Sequence, residues 1–279
     1  MSIRLAVAGA AGRMGRRIIA LAGEQPDFTL AAALESAGSP HLNEDAGQLA
    51  GVRPNRVAVS ADATVDFDVL IDFTTAVATA RWLDVCLRRQ RPIVIGTTGH
   101  DDAARDRIRA AGRSIAVLHA PNMSVGVNVL LRAVRDLAAV LDAAYDVEIV
   151  EAHHRFKADA PSGTAIALRD AVMAGRAGPT DAAAADRLTG RPNSTVIYGR
   201  HGVSASRPPG EIALHSLRLG DTIGEHAVHF GALGETVTVA HSAHSRDTFA
   251  AGALRAARWM VGKGPGVYSM QDVLFGGNT

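Results

Sequence analysis

Residues 151 to 165, EAHHRFKADAPSGTA, place His153, His154, Arg155 and Lys157 just before Pro-Ser-Gly-Thr. Ser162, Gly163 and Thr164 read as the opening of a helix, where unpaired N–H groups and the positive end of the helix dipole face an anion. A carboxylate fits there. A histidine a few residues upstream titrates near neutrality and can pass a proton to such a ligand. Lysine can also give up a proton, whereas arginine keeps its own. Of the 29 basic residues only two, Lys157 and Lys263, are lysine. A lysine kept beside two histidines therefore points to proton chemistry, with chance placement as the plain alternative. Metal chemistry is not expected. Neighbouring side chains on a strand point to opposite faces, so His153 and His154 would not chelate one ion. No third ligand stands at zinc-like spacing, and Cys86 is alone.

A second constellation lies at the start of the chain. An apolar run leads into Gly9-Ala10-Ala11-Gly12-Arg13-Met14-Gly15, a G-x-x-G-x-x-G turn. Glycines let such a turn tighten and let the backbone approach a pyrophosphate at the next helix's N-terminus. Glu35 follows 20 residues after Gly15, at the end of the second apolar run, where an acid accepts hydrogen bonds from the adenine ribose. The chemistry implied is dinucleotide binding. Glu35 opposes the extra phosphate of NADPH, and the next residue is Ser36 rather than a cation. NADH is favoured, with NADPH left open because Arg13 could reach a phosphate. Gly96-Thr97-Thr98 and Ala120-Pro121-Asn122-Met123 close two later apolar runs. In a parallel sheet those ends line the ligand edge, so both are candidates for the nicotinamide side.

These residues need a scaffold that brings strand ends together. Short apolar runs at 3–8, 28–34, 57–59, 69–73, 92–95 and 115–118 alternate with helical segments at 13–23, 76–90 and 101–113. That alternation predicts a parallel sheet wrapped by helices. Residues 124 to 143 read as a long helix, 146 to 153 as a strand, 163 to 175 as a helix and 177 to 193 as a surface loop. From 194 to 242 apolar and polar residues alternate between glycines, the pattern of an antiparallel sheet with one wet face. A final amphipathic helix covers about 246 to 261.

With 279 residues, 47% of them hydrophobic, the chain has material for two domains and a core. A net charge of +1 gives no general attraction to nucleic acid or acidic membranes. No apolar run approaches the roughly 18 residues of a membrane span. The first residues loosely mimic a signal peptide, but Arg13, Arg16 and Arg17 follow at once and the glycines have the better explanation above. A single cysteine rules out an internal disulfide and fits a reducing cytoplasm.

The chain resembles the dihydrodipicolinate reductase (4-hydroxy-tetrahydrodipicolinate reductase) family of lysine and diaminopimelate biosynthesis. The segment EAHHRFKADAPSGTA carries the resemblance, with GAAGRMG, IDFTT, VIGTTG, APNMSVGVN, LGDTIGEH and SRDTFAAGALRAARW in the family's order. The resemblance implies an α/β protein: a Rossmann-like parallel domain over 1–123, completed by 241–279, and an α+β substrate and oligomerisation domain over 124–240 with a mixed, largely antiparallel sheet. It also implies a homotetramer acting on a small dicarboxylate. His153 then matches the proton donor and acceptor, Lys157 the proton donor, and His154 a substrate contact. Gly163 and Thr164 match the carboxylate cradle, with Ser162 beside them. Gly9 to Met14, Glu35, Gly96 to Thr98 and Ala120 to Met123 match the cofactor contacts. Phe156 stands where members commonly carry a polar residue, and Ser36 where some carry arginine. Two rival readings are another small imino- or amino-acid dehydrogenase and a dinucleotide-sensing regulator. The second needs an effector surface that the sequence does not offer and leaves 151–164 unexplained.

Overall fold

The computed structural model describes residues 2–141, 144–177, 195–202 and 206–276. Of the loop expected at 177 to 193, Ala177 still belongs to a helix, and 178 to 193 lie outside the described residues. The chain divides into two compact units, one made of residues 1–125 and 246–279, the other of 126–245.

In the first unit the elements run β1 (Ile3–Ala8), α1 (Arg13–Gly23), β2 (Phe28–Leu34), α2 (Ala46–Leu49), β3 (Val59–Ser60), β4 (Val69–Asp72), α3 (Ala76–Arg89), β5 (Ile93–Ile95), α4 (Asp102–Ala111) and β6 (Ala116–His119). The seven-stranded sheet has every pairing parallel. From one edge its order is β3, β2, β1, β4, β5, β6, and it ends in a strand contributed by the last part of the chain. The order reverses between β1 and β4, the crevice where open sheets of this kind bind ligands. Short strands with nearly every residue buried are what a sheet covered on both faces requires. One face packs on Ile18, Ile19 and Ala22 of α1, the other on Trp82, Leu83 and Cys86 of α3 with Ile108 of α4.

The second unit follows as α5 (Val125–Val140), β7 (Asp146–His153), α6 (Gly163–Ala177), β8 (Val196–Tyr198), β9 (Ile212–Arg218), β10 (Gly224–Ala232) and β11 (Glu235–Ala243). Its sheet has the order β11, β10, β7, β9, β8. Leu130 and Val134 of α5 and Leu168 and Val172 of α6 cover one face, against Val147, Ile149, Leu214, Val228 and Phe230. The chain then returns to the first unit as α7 (Asp247–Met260), β12 (Gly266–Tyr268) and α8 (Met270–Phe275). Ala253, Leu254 and Ala257 of α7 join the same core as α1, and β12 is the strand beside β6.

Three readings shift. The antiparallel pattern expected for 194–242 describes β10 and β11, whereas β9 runs parallel to β7, and β8 parallel to β9. The sheet is therefore mixed, with β9 running in the direction of β7 and β10 against it. The run at 57–59 pairs only at Val59–Ser60, because Ala58 is held in an antiparallel bridge to Asp45. The last segment leaves the mixed sheet after β11 rather than at His241, which pairs with His226 across β10 and β11.

Candidate active site

The glycine turn is built by close approach. Gly9 has φ +78°, and a Cβ there would sit 2.3 Å from the Phe73 carbonyl oxygen. At Gly15 a Cβ would lie 2.0 Å from the Gly9 carbonyl oxygen. Only glycine fits both positions, and the turn can therefore press flat against the end of β4. Gly12 caps α1 with extended backbone and no side chain caps the helix, so its first turn of N–H groups stands open to an anion. Arg13 is exposed there and Met14 half-buried. Ala10 is packed in the core, and the Ala11 N–H donates to Glu35 Oε1 at 2.8 Å. The second oxygen of Glu35 accepts from the Ser36 N–H at 3.2 Å. Glu35 thus fixes the turn and still has acceptor capacity for ribose hydroxyls. An uncapped helix start, a turn that tolerates only glycine and a carboxylate at the end of β2 fit a dinucleotide.

The later strand ends play a more internal part than their spacing suggests. Thr97 is buried, and its hydroxyl accepts from the Thr74 N–H at 2.9 Å. Thr74 and Thr79 donate to the buried carboxylate of Asp72 at 2.5 and 2.6 Å. Burial raises the Asp72 pKa, and these hydroxyls offset part of that rise. At Gly96 the Phe73 ring occupies the place of a side chain, 2.3 Å from where a Cβ would stand. Thr98 and Pro121 are exposed. Asn122 accepts from the Ser124 N–H at 2.9 Å, while Ala120 and Met123 are core residues. Thr98 and Pro121 therefore have side chains in reach of a ligand, and the others shape the backbone beneath.

In the second unit the 151–165 stretch gathers on one side chain that spacing does not single out. Glu151 is buried on β7, two residues before His153 and hence on the same face. Its Oε2 meets His153 Nδ1 at 2.5 Å, and Arg218 of β9 grips it with two bonds of 2.9 Å. Its Oε1 also accepts from the Ser162 N–H at 3.2 Å. Burial works to raise the Glu151 pKa, but the bonds from Arg218, Ser216 and His153 overcome it and hold it at about 2. His153 is lowered, first by burial, with Lys157 and Arg218 adding to the effect and Glu151 opposing it. His226 of β10 stands edge-on to His153, ring centres 5.2 Å apart, and burial pushes it down to about 4.

Lys157 Nζ donates to both oxygens of Asp159 at 2.7 Å. His154 has a buried Nδ1 that lacks a partner, and its ring centre lies 6.3 Å from that of exposed Phe156. The Ser162 side chain is engaged within the protein. Its hydroxyl is buried, accepts from the Ala165 N–H at 3.1 Å as the cap of α6, and lies 3.2 Å from His226 Nε2. Exposed Gly163 follows it, and a Cβ there would meet nothing within 4 Å. The stretch thus brings together a histidine whose pKa is lowered, a lysine and the start of α6. That set can hold an anion and move a proton. Among the described residues no group of three or more His, Cys, Asp or Glu side chains could hold a metal ion.

Family models match over nearly the whole chain: dihydrodipicolinate reductase, N-terminus, over residues 3–123, and C-terminus, over 126–274. The chain belongs to the dihydrodipicolinate reductase family. A 4-hydroxy-tetrahydrodipicolinate reductase from Anaeromyxobacter dehalogenans (strain 2CP-C) is 46% identical over 274 residues, 97% of each chain. One from Rubrobacter xylanophilus is 48% identical over 272 residues, 98% of each chain. A solved dihydrodipicolinate reductase from Paenisporosarcina sp. TG-14, described as bound to dipicolinate, matches with a TM-score of 0.73 and 25% identity, covering 98% of this chain and 99% of that one. What motif reading left unassigned were Glu151, Arg218, Gly224 and His226. Glu151 opens the quoted motif, but Arg218, which grips it, stands 67 residues downstream in a segment whose alternation spoke only of strands.

Proposed function

We propose that the chain reduces 4-hydroxy-tetrahydrodipicolinate to tetrahydrodipicolinate with NAD(P)H, in lysine and diaminopimelate biosynthesis. The observation that carries the reading is the 97% two-way coverage at 46% identity to a 4-hydroxy-tetrahydrodipicolinate reductase. The buried Glu151–His153 pair beside Lys157 and the start of α6 supplies the matching chemistry.

A bound nicotinamide would supply the hydride, held through the turn Gly9 to Met14, Glu35, Gly96 to Thr98 and Ala120 to Met123. The N–H groups at Gly163 and Thr164 hold one substrate carboxylate, and His154 contacts the substrate. Lys157 must leave Asp159 to meet the ligand, and a substrate carboxylate offers it an equal partner. Loss of the 4-hydroxyl group as water leaves the unsaturated ring that takes the hydride; Lys157 then delivers the proton that the reduced ring needs, with His153 passing it on. Glu35 and Ser36 favour NADH over NADPH. The substrate-domain sheet joins four copies into a tetramer, and the protein works in the cytoplasm. No described helix is long and apolar enough to cross a membrane.

The test is loss of NADH absorbance on addition of freshly generated 4-hydroxy-tetrahydrodipicolinate, with other cyclic imino acids in parallel. Turnover of 4-hydroxy-tetrahydrodipicolinate alone, inhibited competitively by dipicolinate, is the expected result. Equal turnover of the other imino acids would favour the broader dehydrogenase reading.

A further inference from the structure

Glu151, Arg218 and Gly224 converge on the ring of His153. Glu151 contacts Nδ1, and Arg218 locks Glu151. Gly224 lies on the ring's other edge, where a Cβ would stand 3.2 Å from Nε2 and 3.5 Å from Cδ2. An ionised carboxylate can only accept, so at 2.5 Å the proton of that bond belongs to His153 Nδ1. Nε2 is then the one nitrogen with a lone pair to use.

We propose that Glu151 is a positioning residue for the reduction: it fixes His153 as the Nδ1–H tautomer and ties the ring to the start of α6. The proposal rests on the reading of His153 and Lys157 given above. Nε2 takes up a proton, the ring becomes a cation against Glu151, and the ring returns to neutral when Nε2 passes the proton on. Glu151 never takes the proton itself, because the paired guanidinium holds it ionised. The same carboxylate accepts from the Ser162 N–H, one residue before the cradle. The proton group and the carboxylate cradle therefore share one anchor and keep a fixed spacing.

A buried pair that merely stapled β7 to β9 would not set the tautomer. The groups facing His153 are Glu151 from its own strand, Lys157 from the following loop, Arg218 from β9 and His226 from β10. Of these only Glu151 raises its pKa, so Glu151→Gln should move the limb of the pH profile that His153 controls toward acid. The substitution also turns an amide donor toward Nδ1 and should reverse the tautomer to Nε2–H.

The experiment combines nitrogen NMR of the histidine rings with kinetics of the full-length protein. Wild type is expected to show His153 protonated on Nδ1. Glu151→Gln is expected to lose at least tenfold in kcat, with dipicolinate affinity within about threefold and the acid limb displaced. A wild-type Nε2–H tautomer overturns the proposal, whether or not the variant folds. So does a folded Glu151→Gln protein with unchanged kcat and an unmoved limb. A wild type inactive on 4-hydroxy-tetrahydrodipicolinate would instead strike the functional reading, and the tautomer measurement separates the two.

Discussion

The glycine turn and the 151–165 stretch are built in opposite ways. The turn works by backbone shape: side chains are absent where Gly9 and Gly15 meet carbonyl groups, and a single carboxylate, Glu35, pins the result. The second region works by side chains that are already engaged with one another: Glu151 with Arg218 and His153, Lys157 with Asp159, Ser162 with the start of α6. A ligand at the turn enters a finished mould. A ligand at the second site has to exchange partners with charged groups. Substitutions at the first should therefore act through fit, and at the second through proton and charge balance.

The sharpest way to break this contrast is Lys157. Lys157→Ala should cost about 10²–10⁴-fold in kcat, the usual weight of general acid catalysis. Lys157→Arg should restore dipicolinate binding better than rate, because arginine keeps the charge but not the transferable proton. Near-normal turnover in the arginine variant would reduce Lys157 to a carboxylate contact.

Placing one methyl group in each region gives the next test. Gly15→Ala sets a Cβ 2.0 Å from a carbonyl oxygen and should cost on the order of 100-fold in NADH affinity, read by calorimetry. Gly163→Ala meets open space and should leave the melting temperature unchanged within error. Gly163→Trp should weaken dipicolinate by tenfold or more while sparing NADH. Equal losses of both ligands would detach the helix start from the substrate.

Acid titration sharpens the electrostatic side. Glu151 stays charged in the fold down to about pH 2, against 4.5 for an ordinary glutamate, so the folded state binds fewer protons than the unfolded chain between those values. Its stabilisation is complete above about pH 4.5 and is lost as pH falls toward 2. A shift of this size corresponds to on the order of 3 kcal/mol. Circular dichroism should show a steep acid transition in wild type that flattens in Glu151→Gln; superimposable acid curves would contradict it.

The smallest effect is expected at Ser36. Ser36→Arg should shift the kcat/KM ratio toward NADPH by roughly tenfold, the worth of about one exposed charge contact. A wild-type enzyme that strongly prefers NADPH would refute the pairing of Glu35 with Ser36 as discriminators.

The same contrast governs what could be read in the sequence. β1, β2 and β7 have the expected bounds because buried strands are short apolar runs with sharp polar ends. Glycine spacing exposed the turn because it records a steric demand within seven residues. α2, β12 and α8 gave no signal, since four, three and six residues are too few to show a period. β9 hid its direction, because alternation tells which side is wet and not which way a strand runs. The Glu151–Arg218 bond was invisible for a related reason: 67 residues separate its partners, and no local pattern carries such a pairing. Thr97 and Ser162 show the converse. Both sit in motifs, and both spend their hydroxyls inside the protein.

The first unit is interrupted in sequence, and this bears on the order of events at the ribosome. α7 supplies Ala250, Ala253, Leu254 and Ala257 to the core that also contains Ile18 and Ile19 of α1. The intervening 120 residues, 126 to 245, must be synthesised before α7 exists. At about 5–20 residues per second that is a wait of roughly 6–24 s. During it the nascent sheet has α1 but not α7 on that face, and its apolar side stays open. The second unit is continuous and faces no such delay. Nascent chains should therefore become protease-resistant first in the middle, with the amino-terminal segment following only after residue 260 has left the exit tunnel.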